Sequence, residues 1–316
     1  MRSPKPVRRR LDGVLLLNKP LGISSQQAVS SVRHLFNAAK AGHTGTLDPA
    51  AEGLLPVCFG EATKFSHLLL DADKTYVATV RLGVVTTTGD AEGEVIESKP
   101  PVTEYGVVLQ ALQKFRGEII QMPPMHSALK HRGVPLYEYA RKGVEIERQP
   151  RSIRIYDLQL LEIKENLLRL RIRCSKGTYI RVLAGDIGAA LGCGASLSGL
   201  TRTHAGALDL AHECACTLEA LHALPEAGRE HLLLPIDTLL SELPALHVGG
   251  EEAERLLLGQ KLGLKQAECT GFARIYGPNH RFLGMVEVGE GGRTVPYRML
   301  AQYSEMSDVM LEKTPR

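Results

Sequence analysis

The chain has 316 residues, 44% of them hydrophobic and 23% charged, with a formal net charge of +3. That composition belongs to a folded globular protein and excludes a disordered chain, and no run approaches the ~18 apolar residues of a membrane span. The net charge is too mild to identify a nucleic-acid partner by itself, although the basic residues are unevenly spread.

Residues 1–10 carry five basic side chains and read as a flexible tail. The apolar run at 13–17 is shorter than the ~7–15 residues of a signal-peptide core, so the expected compartment is the cytoplasm. The same run reads as a buried strand, closed by the turn Asn18-Lys19-Pro20-Leu21-Gly22. Ser24 or Ser25 is placed to cap a helix reaching about residue 39, with Val29, Val32 and Phe36 on one face. Two glycines and a proline make 41–49 a loop. A short strand over 54–59, a helix over 61–70 and a strand over Lys74–Leu82 follow. In the last, Tyr76, Ala78, Val80 and Leu82 share a face.

Residues 102–115 read as a helix. From 122 to 151 the pattern is polar, basic and punctuated by Gly and Pro, a long excursion with a short helix near 136–141. Segments this long without regular structure are usually functional or mobile. Residues 152–163 and 166–174 form a hairpin whose second strand alternates Leu168, Leu170, Ile172 and Cys174 with Arg169, Arg171 and Arg173. A helix over 179–191 turns Ile180, Leu183, Ile187 and Leu191 inward, and 221–239 is less regular. After Pro244 one short helix (250–258) and three strands (271–276, 281–288, 294–299) read as a separate small β-rich domain.

Basic clusters in 128–154 and 164–181 suit a polyanion groove as well as a solvated face. The six cysteines include no C-x-x-C and are expected as reduced thiols. His212, Cys214, Cys216 and His222 lack the paired spacing of a zinc site, and no metal is expected there. No P-loop or G-x-G-x-x-G is present. Asp71-Ala72-Asp73-Lys74-Thr75 matches the D-x-D-x-T of phosphatases with an aspartyl nucleophile, which leaves that reading as an alternative. Asp48 follows a Gly-rich loop and precedes Pro49, whose fixed φ makes a rigid bend where a carboxylate could meet substrate. Asp-Pro is also a common turn pair, so the residue alone leaves both readings open.

The loop does not stand alone. Ala41-Gly42-His43-Thr44-Gly45-Thr46-Leu47-Asp48-Pro49 with Glu52-Gly53-Leu54-Leu55-Pro56 resembles the signature of the tRNA pseudouridine synthase B family. Gly60-Glu61-Ala62-Thr63-Lys64-Phe65, Lys74-Thr75-Tyr76, Thr86-Thr87-Thr88-Gly89-Asp90, Pro123-Pro124-Met125-His126-Ser127-Ala128-Leu129-Lys130, Leu136-Tyr137-Glu138-Tyr139-Ala140-Arg141 and Gly177-Thr178-Tyr179-Ile180-Arg181 fall in the family's order. His126 stands where the family often has an aromatic, and Thr201-Arg202 replaces a common Arg-Arg pair.

The resemblance implies an α+β fold. A pseudouridine-synthase catalytic domain over 11–244, with a mixed, mainly antiparallel sheet, would be followed by a small β-rich, PUA-like RNA-binding domain over 245–316. It implies isomerisation of uridine to pseudouridine at position 55 in the T-arm of tRNA, by base flipping. No cofactor or metal is implied, because nothing is oxidised and no group is gained. By resemblance Asp48 is the nucleophile, Arg181 its partner arginine and Tyr76 the tyrosine against the target base. Tyr179 and Leu200 complete the base pocket, and His43 fills the space the flipped nucleotide vacates. Lys64, with Lys130, Arg132 and Arg141 of the excursion, is expected to contact RNA. The expected partner is the tRNA T-arm stem-loop, bound by a monomer without an obligate protein partner or a membrane. A tRNA-folding chaperone, with catalysis secondary, is the alternative.

Overall fold

The structure, a computed structural model, describes residues 8–264 and 268–301. Its main sheet has ten strands, eight of them on one path. In chain order these are β1 Gly13–Lys19, β2 Ala51–Phe59, β3 Lys74–Leu82, β4 Gly117–Gln121, β5 Arg151–Lys164, β6 Leu167–Cys174, β7 Ala195–Ala205 and β8 Cys216–Thr217. Their spatial order is β8-β1-β2-β7-β3-β6-β5-β4. The β1–β8 and β2–β7 pairs are parallel and the other neighbours antiparallel, so the sheet is mixed and mainly antiparallel as expected.

The two halves of the sheet are covered differently. In β1, Leu15 and Leu17 enter one core with Val29 and Val32 of helix α1 (Ser25–Leu35) and Phe36 at its C-cap, while Val14 and Leu16 enter another with Phe65 and Leu69. A strand buried on both faces reads as a continuous apolar run, which is what 13–17 is. In β6 the even positions Leu168, Leu170 and Ile172 join Val108 of α2 (Tyr105–Gln113) and Leu183 and Ile187 of α3 (Ile180–Ala190). The odd positions Arg169, Arg171 and Arg173 stand in solvent.

Helix α1 starts on a capping box, Ser24 with Gln27. It stops at Leu35, short of the expected residue 39, because Asn37 takes a left-handed φ of 48°. The helix expected over 61–70 is a 3-10 turn, Gly60–Lys64, followed by an α-helical turn and a half, Ser66–Asp71. β7 is the central strand that the sequence pattern hides. It lies between β2 and β3, and its close parallel approach to β2 requires Gly53, which has φ +100°; a Cβ there would lie 2.4 Å from the Arg202 carbonyl oxygen.

The C-terminal residues form a five-stranded sheet. Its strands are β9 Ala245–His247, β10 Leu262–Gly263, β11 Gly271–Tyr276, β12 Phe282–Val288 and β13 Arg293–Met299, in the order β9-β11-β12-β13-β10 with helix α4 (Gly250–Leu257). This is the β-rich domain expected after Pro244. It shares a core with the larger domain before it: Met285 and Phe282 pack with Phe65 and Leu69. Of the expected basic tail, residues 1–7 lie outside the described residues, as do 302–316. Arg9 is held by backbone bonds to Asn37 and Ala39 and by ion pairs with Glu226 and Glu230.

Candidate active site

Asp48 sits on a bend fixed from both sides. The residue before it is pinned to the start of α1: the Leu47 N–H donates to Ser25 Oγ (2.7 Å), and that hydroxyl donates to the Leu47 carbonyl (2.9 Å). After it, the Ala51 N–H donates to the Asp48 carbonyl at 3.0 Å. The carboxylate stands about half exposed, between two cavities.

The first cavity, about 230 Å³, is lined by Tyr76 of β3, Tyr179, and Leu200 and Arg202 of β7, with Arg181 and Asp48 at its mouth. Four of the expected residues, Tyr76, Tyr179, Arg181 and Leu200, thus converge on Asp48 from three elements: β3, the start of α3 and β7. Burial pushes the phenols of Tyr76 and Tyr179 upward, so both are protonated donors at neutral pH. The second cavity, about 420 Å³, is an open groove lined by His43, Asp90, Glu92, His126, Tyr137 and Arg141. Burial lowers the His43 pKa, and its Nδ1 accepts the Gly45 N–H at 3.3 Å, so the ring is neutral there. His43 and Tyr76 therefore belong to different cavities that meet at the carboxylate.

Arg181 is the hinge of the site. It is 9% exposed, and its Nη2 lies 2.8 Å from Asp48 Oδ2 and donates to the His126 carbonyl at 2.7 Å. Nη1 faces the Thr88 carbonyl and Asp90 Oδ2, each at 3.4 Å. The two-N–H fork on Asp48 that arginine chemistry suggests is absent, because the rest of the guanidinium is engaged by Asp90 and two carbonyls. Asp90 is itself oriented by Thr88 Oγ1 and the Glu92 N–H. Helix α3, which carries Arg181, is fixed at its first turn by Gln121. The Gln121 side chain accepts the Tyr179 N–H (2.8 Å) and donates to the Tyr179 carbonyl (3.2 Å).

The other expected contact residues divide. Arg141 stacks its guanidinium over Tyr137, 5.4 Å from the ring centroid, on the groove wall. Lys130 and Arg132 project from a small hairpin (Lys130–His131 with Val134–Pro135) on the same excursion. The excursion is built on its own bonds, Leu136 N–H to the Leu129 carbonyl and Tyr137 N–H to the Ser127 carbonyl. Lys64 does not reach the cleft. Its ammonium bonds Glu61 (2.7 Å) and the Met299 carbonyl (3.2 Å), because the 3-10 turn aims it at the C-terminal domain.

Asp90, Gln121 and Arg202 were missed as site residues. Asp90 ended a recognised motif and Arg202 stood two residues after Leu200, which on a strand is the same face. The phosphatase reading of 71–75 is not supported: Asp71 ends a helix and pairs with Lys176, and Asp73 pairs with Arg173. His212 Nδ1 accepts the Cys214 N–H in a turn, and among the described residues no cluster of His, Cys, Asp and Glu could hold a metal.

Three family models cover most of the chain. Residues 33–180 match the N-terminal domain of the TruB family pseudouridylate synthases. Residues 181–241 match the tRNA pseudouridylate synthase B C-terminal domain, and 244–300 the C-terminal part of pseudouridine synthase II TruB. A tRNA pseudouridine synthase B from Dechloromonas aromatica is 53% identical over 92% of this chain and 96% of its own length. The chain belongs to the TruB family of pseudouridylate synthases. A second relative of the same name, from Chromohalobacter salexigens, is 52% identical over 94% of this chain and 97% of its own length. Among solved structures, the Cbf5 complex with Nop10 and Gar1 matches with a TM-score of 0.70 at 26% identity, over 91% of this chain and 84% of that one. An H/ACA ribonucleoprotein bound to a substrate RNA containing 2′-deoxyuridine matches equally well, with a TM-score of 0.70 at 25% identity over 92% and 85% of the two chains. The boundary between the first two family models, at 180/181, falls inside the start of α3. The fold crosses it freely, because β7 from the second segment is inserted between β2 and β3 of the first.

Proposed function

We propose that the protein converts uridine to pseudouridine at position 55 in the T-arm of tRNA, with Asp48 as the nucleophile. The observation that carries this reading is the Asp48–Arg181 contact of 2.8 Å at the mouth of a cavity walled by Tyr76, Tyr179 and Leu200. A uracil turned out of its stack fits between those side chains, and extrusion costs a few kcal/mol that filler and stacking groups offset. His43, neutral and in the adjoining groove, is placed to occupy the vacated position.

The reaction breaks the bond between ribose C1′ and N1 and forms one between C1′ and C5. N1 gains a proton and C5 loses one, so neither redox cofactor nor group donor enters the balance. Asp48 acts as a carboxylate nucleophile, and the contact with Arg181 holds one of its oxygens in place. Tyr76 enters protonated and acts as a donor against the ring. Lys130, Arg132 and Arg141 contact RNA along the excursion, the partner is the T-arm stem-loop, and the protein works as a cytoplasmic monomer. Among the described residues no helix is long and apolar enough to cross a membrane.

The test is incubation of an unmodified tRNA transcript with the protein, followed by mapping of pseudouridine. Modification confined to the T-arm uridine is expected; modification elsewhere, or none, overturns the reading. Asp48→Asn should lower the rate by about 10³-fold or more, the scale on which loss of a nucleophile acts. Its tRNA affinity should stay within about tenfold of wild type, because one carboxylate contributes little to phosphate binding. Residual turnover near wild type would remove Asp48 from the role.

A further inference from the structure

We propose that Arg202 stabilises the uracil ring as an anion while it is detached from the ribose. The proposal rests on reading the smaller cavity as the uracil pocket.

Arg202 lies on β7 directly across from Tyr76 on β3, and both line that cavity. It is 2% exposed, which makes it one of the largest fully buried side chains of the protein. Its Nε donates to the Leu54 carbonyl (2.7 Å) and its Nη2 to the Gly45 carbonyl (3.1 Å). Among the described residues it enters no ion pair, whereas Arg181 faces two carboxylates. Lys74 repeats the pattern on the same cavity: it is 7% exposed, and its ammonium bonds the Leu69, Leu70 and Ala72 carbonyls. Burying a cation without a counter-ion is costly, and carbonyl oxygens offset that cost only in part. A fold that keeps two such charges under one pocket holds a positive field ready for negative charge that arises there during reaction.

The chemistry supplies that charge. When the C1′–N1 bond breaks, its electron pair passes to the ring and spreads over N1, O2 and O4. This holds whether Asp48 attacks C1′ or removes a ribose proton. Attack at ring C6 likewise pushes a pair onto O4. The charge is discharged when C5 bonds C1′: any bond Asp48 has formed breaks and returns its electron pair to the carboxylate, any ribose proton it took goes back, and C5 loses its proton while N1 gains one. No outside oxidant or reductant is needed.

The rival role is that of a strut, with Arg202 merely tying Gly45 and Leu54 together beneath the Asp48 bend. A substrate change separates the two. Fluorine at C5 withdraws electrons and makes the uracil anion less dependent on outside stabilisation. Arg202→Gln and Arg202→Lys should be compared with wild type on tRNA carrying uridine or 5-fluorouridine at the target. Glycosidic-bond cleavage is measured under single-turnover conditions. Arg202→Gln is expected to slow uridine cleavage by about 10²–10³-fold, the usual cost of losing one preorganised electrostatic group. The loss on 5-fluorouridine should be at least about tenfold smaller, because the better leaving group needs less stabilisation. Arg202→Lys, which keeps the charge, should recover most of the difference. The ratio of the two losses is independent of the fraction of protein that folds. Equal losses on both substrates, or no loss in Arg202→Gln, would overturn the proposal and leave the strut. Failure of the wild-type protein to cleave either substrate would instead remove the reading of the pocket.

Discussion

The two cavities that meet at Asp48 share that residue and Arg181, and differ in the charged groups behind them. The groove holds Arg181 against Asp90 and Asp48, so its strongest cation is neutralised and serves to orient. The smaller cavity holds Arg202 and Lys74 on backbone carbonyls rather than carboxylates, so their charges remain available. The difference teaches that burial of an arginine says little about its work. The partner decides: a carboxylate makes a fixed strut, and carbonyls leave a field.

The comparison breaks most readily at Arg181. If this residue orients rather than merely supplies charge, Arg181→Lys should be nearly as damaging as Arg181→Ala, with a loss of about 10²-fold or more in single-turnover rate. A lysine cannot reach Asp48, Asp90 and the His126 carbonyl together. A lysine variant of near wild-type rate would show that charge alone suffices on this side too.

Gln121→Leu sharpens the same side. It removes both bonds to the Tyr179 peptide and orphans a partly buried N–H, which should cost about 1–3 kcal/mol of stability. Because α3 carries Arg181, the rate should fall more than tRNA affinity does. Thermal unfolding together with separate kcat and KM values checks this, and a change confined to KM would count against the arrangement.

On the groove side, replacing Lys130, Arg132 and Arg141 together by Ala should weaken tRNA binding and flatten its salt dependence, since every phosphate no longer neutralised by the protein keeps its condensed counterions. Stability should change by less than about 0.5 kcal/mol, as is usual for exposed charges. Binding lines of equal height and slope across a salt series would remove the excursion from the RNA interface.

The smallest effect concerns buried ammonium groups. Burial pushes Lys19 down to about 8 from its ordinary value of 10.5. The folded form then gives up this proton before the unfolded chain does, so the wild-type protein should gain stability relative to Lys19→Met as pH rises from about 8 towards 10.5. The measured quantity is the difference in unfolding free energy between the two proteins at pH 7 and pH 9.5. A difference independent of pH would mean that Lys19 stays charged in the fold.

Most of the architecture was legible because it follows simple periods. β3 and β6 alternate cleanly, α3 repeats its apolar face, and the C-terminal strands sit between glycine turns. β7 was not legible, and the reason is visible in its pairing with β3. A bulge between Leu197 and Gly199 shifts the register. The inward positions therefore run Ala195, Leu197, then Leu200, Arg202, and no single period of two survives. With the strand hidden, Arg202 could be read only as a departure from a family pair, although it lies beneath the pocket. Asp48, Arg181, Tyr76, Tyr179 and Leu200, which the fold brings together, were singled out through motifs rather than chemistry, since each alone resembles an ordinary turn or core residue. Lys64 lies away from the two cavities for a related reason: the 3-10 turn that carries its motif directs it to the seam with the C-terminal domain.

That seam has a practical meaning. Met285, fully buried, belongs to the same core as Phe65 and Leu69, and the rings of Phe65 and Phe282 lie 5.8 Å apart. A chain cut after 244 would leave these catalytic-domain side chains facing water, and a sticky apolar scar would replace the lost module. The two parts are therefore expected to melt in a single cooperative transition, which calorimetry of the full chain would check. A substrate that touches both meets a fixed gauge, with the span between the cavity beside Asp48 and the far sheet set by packing rather than by a swinging tether.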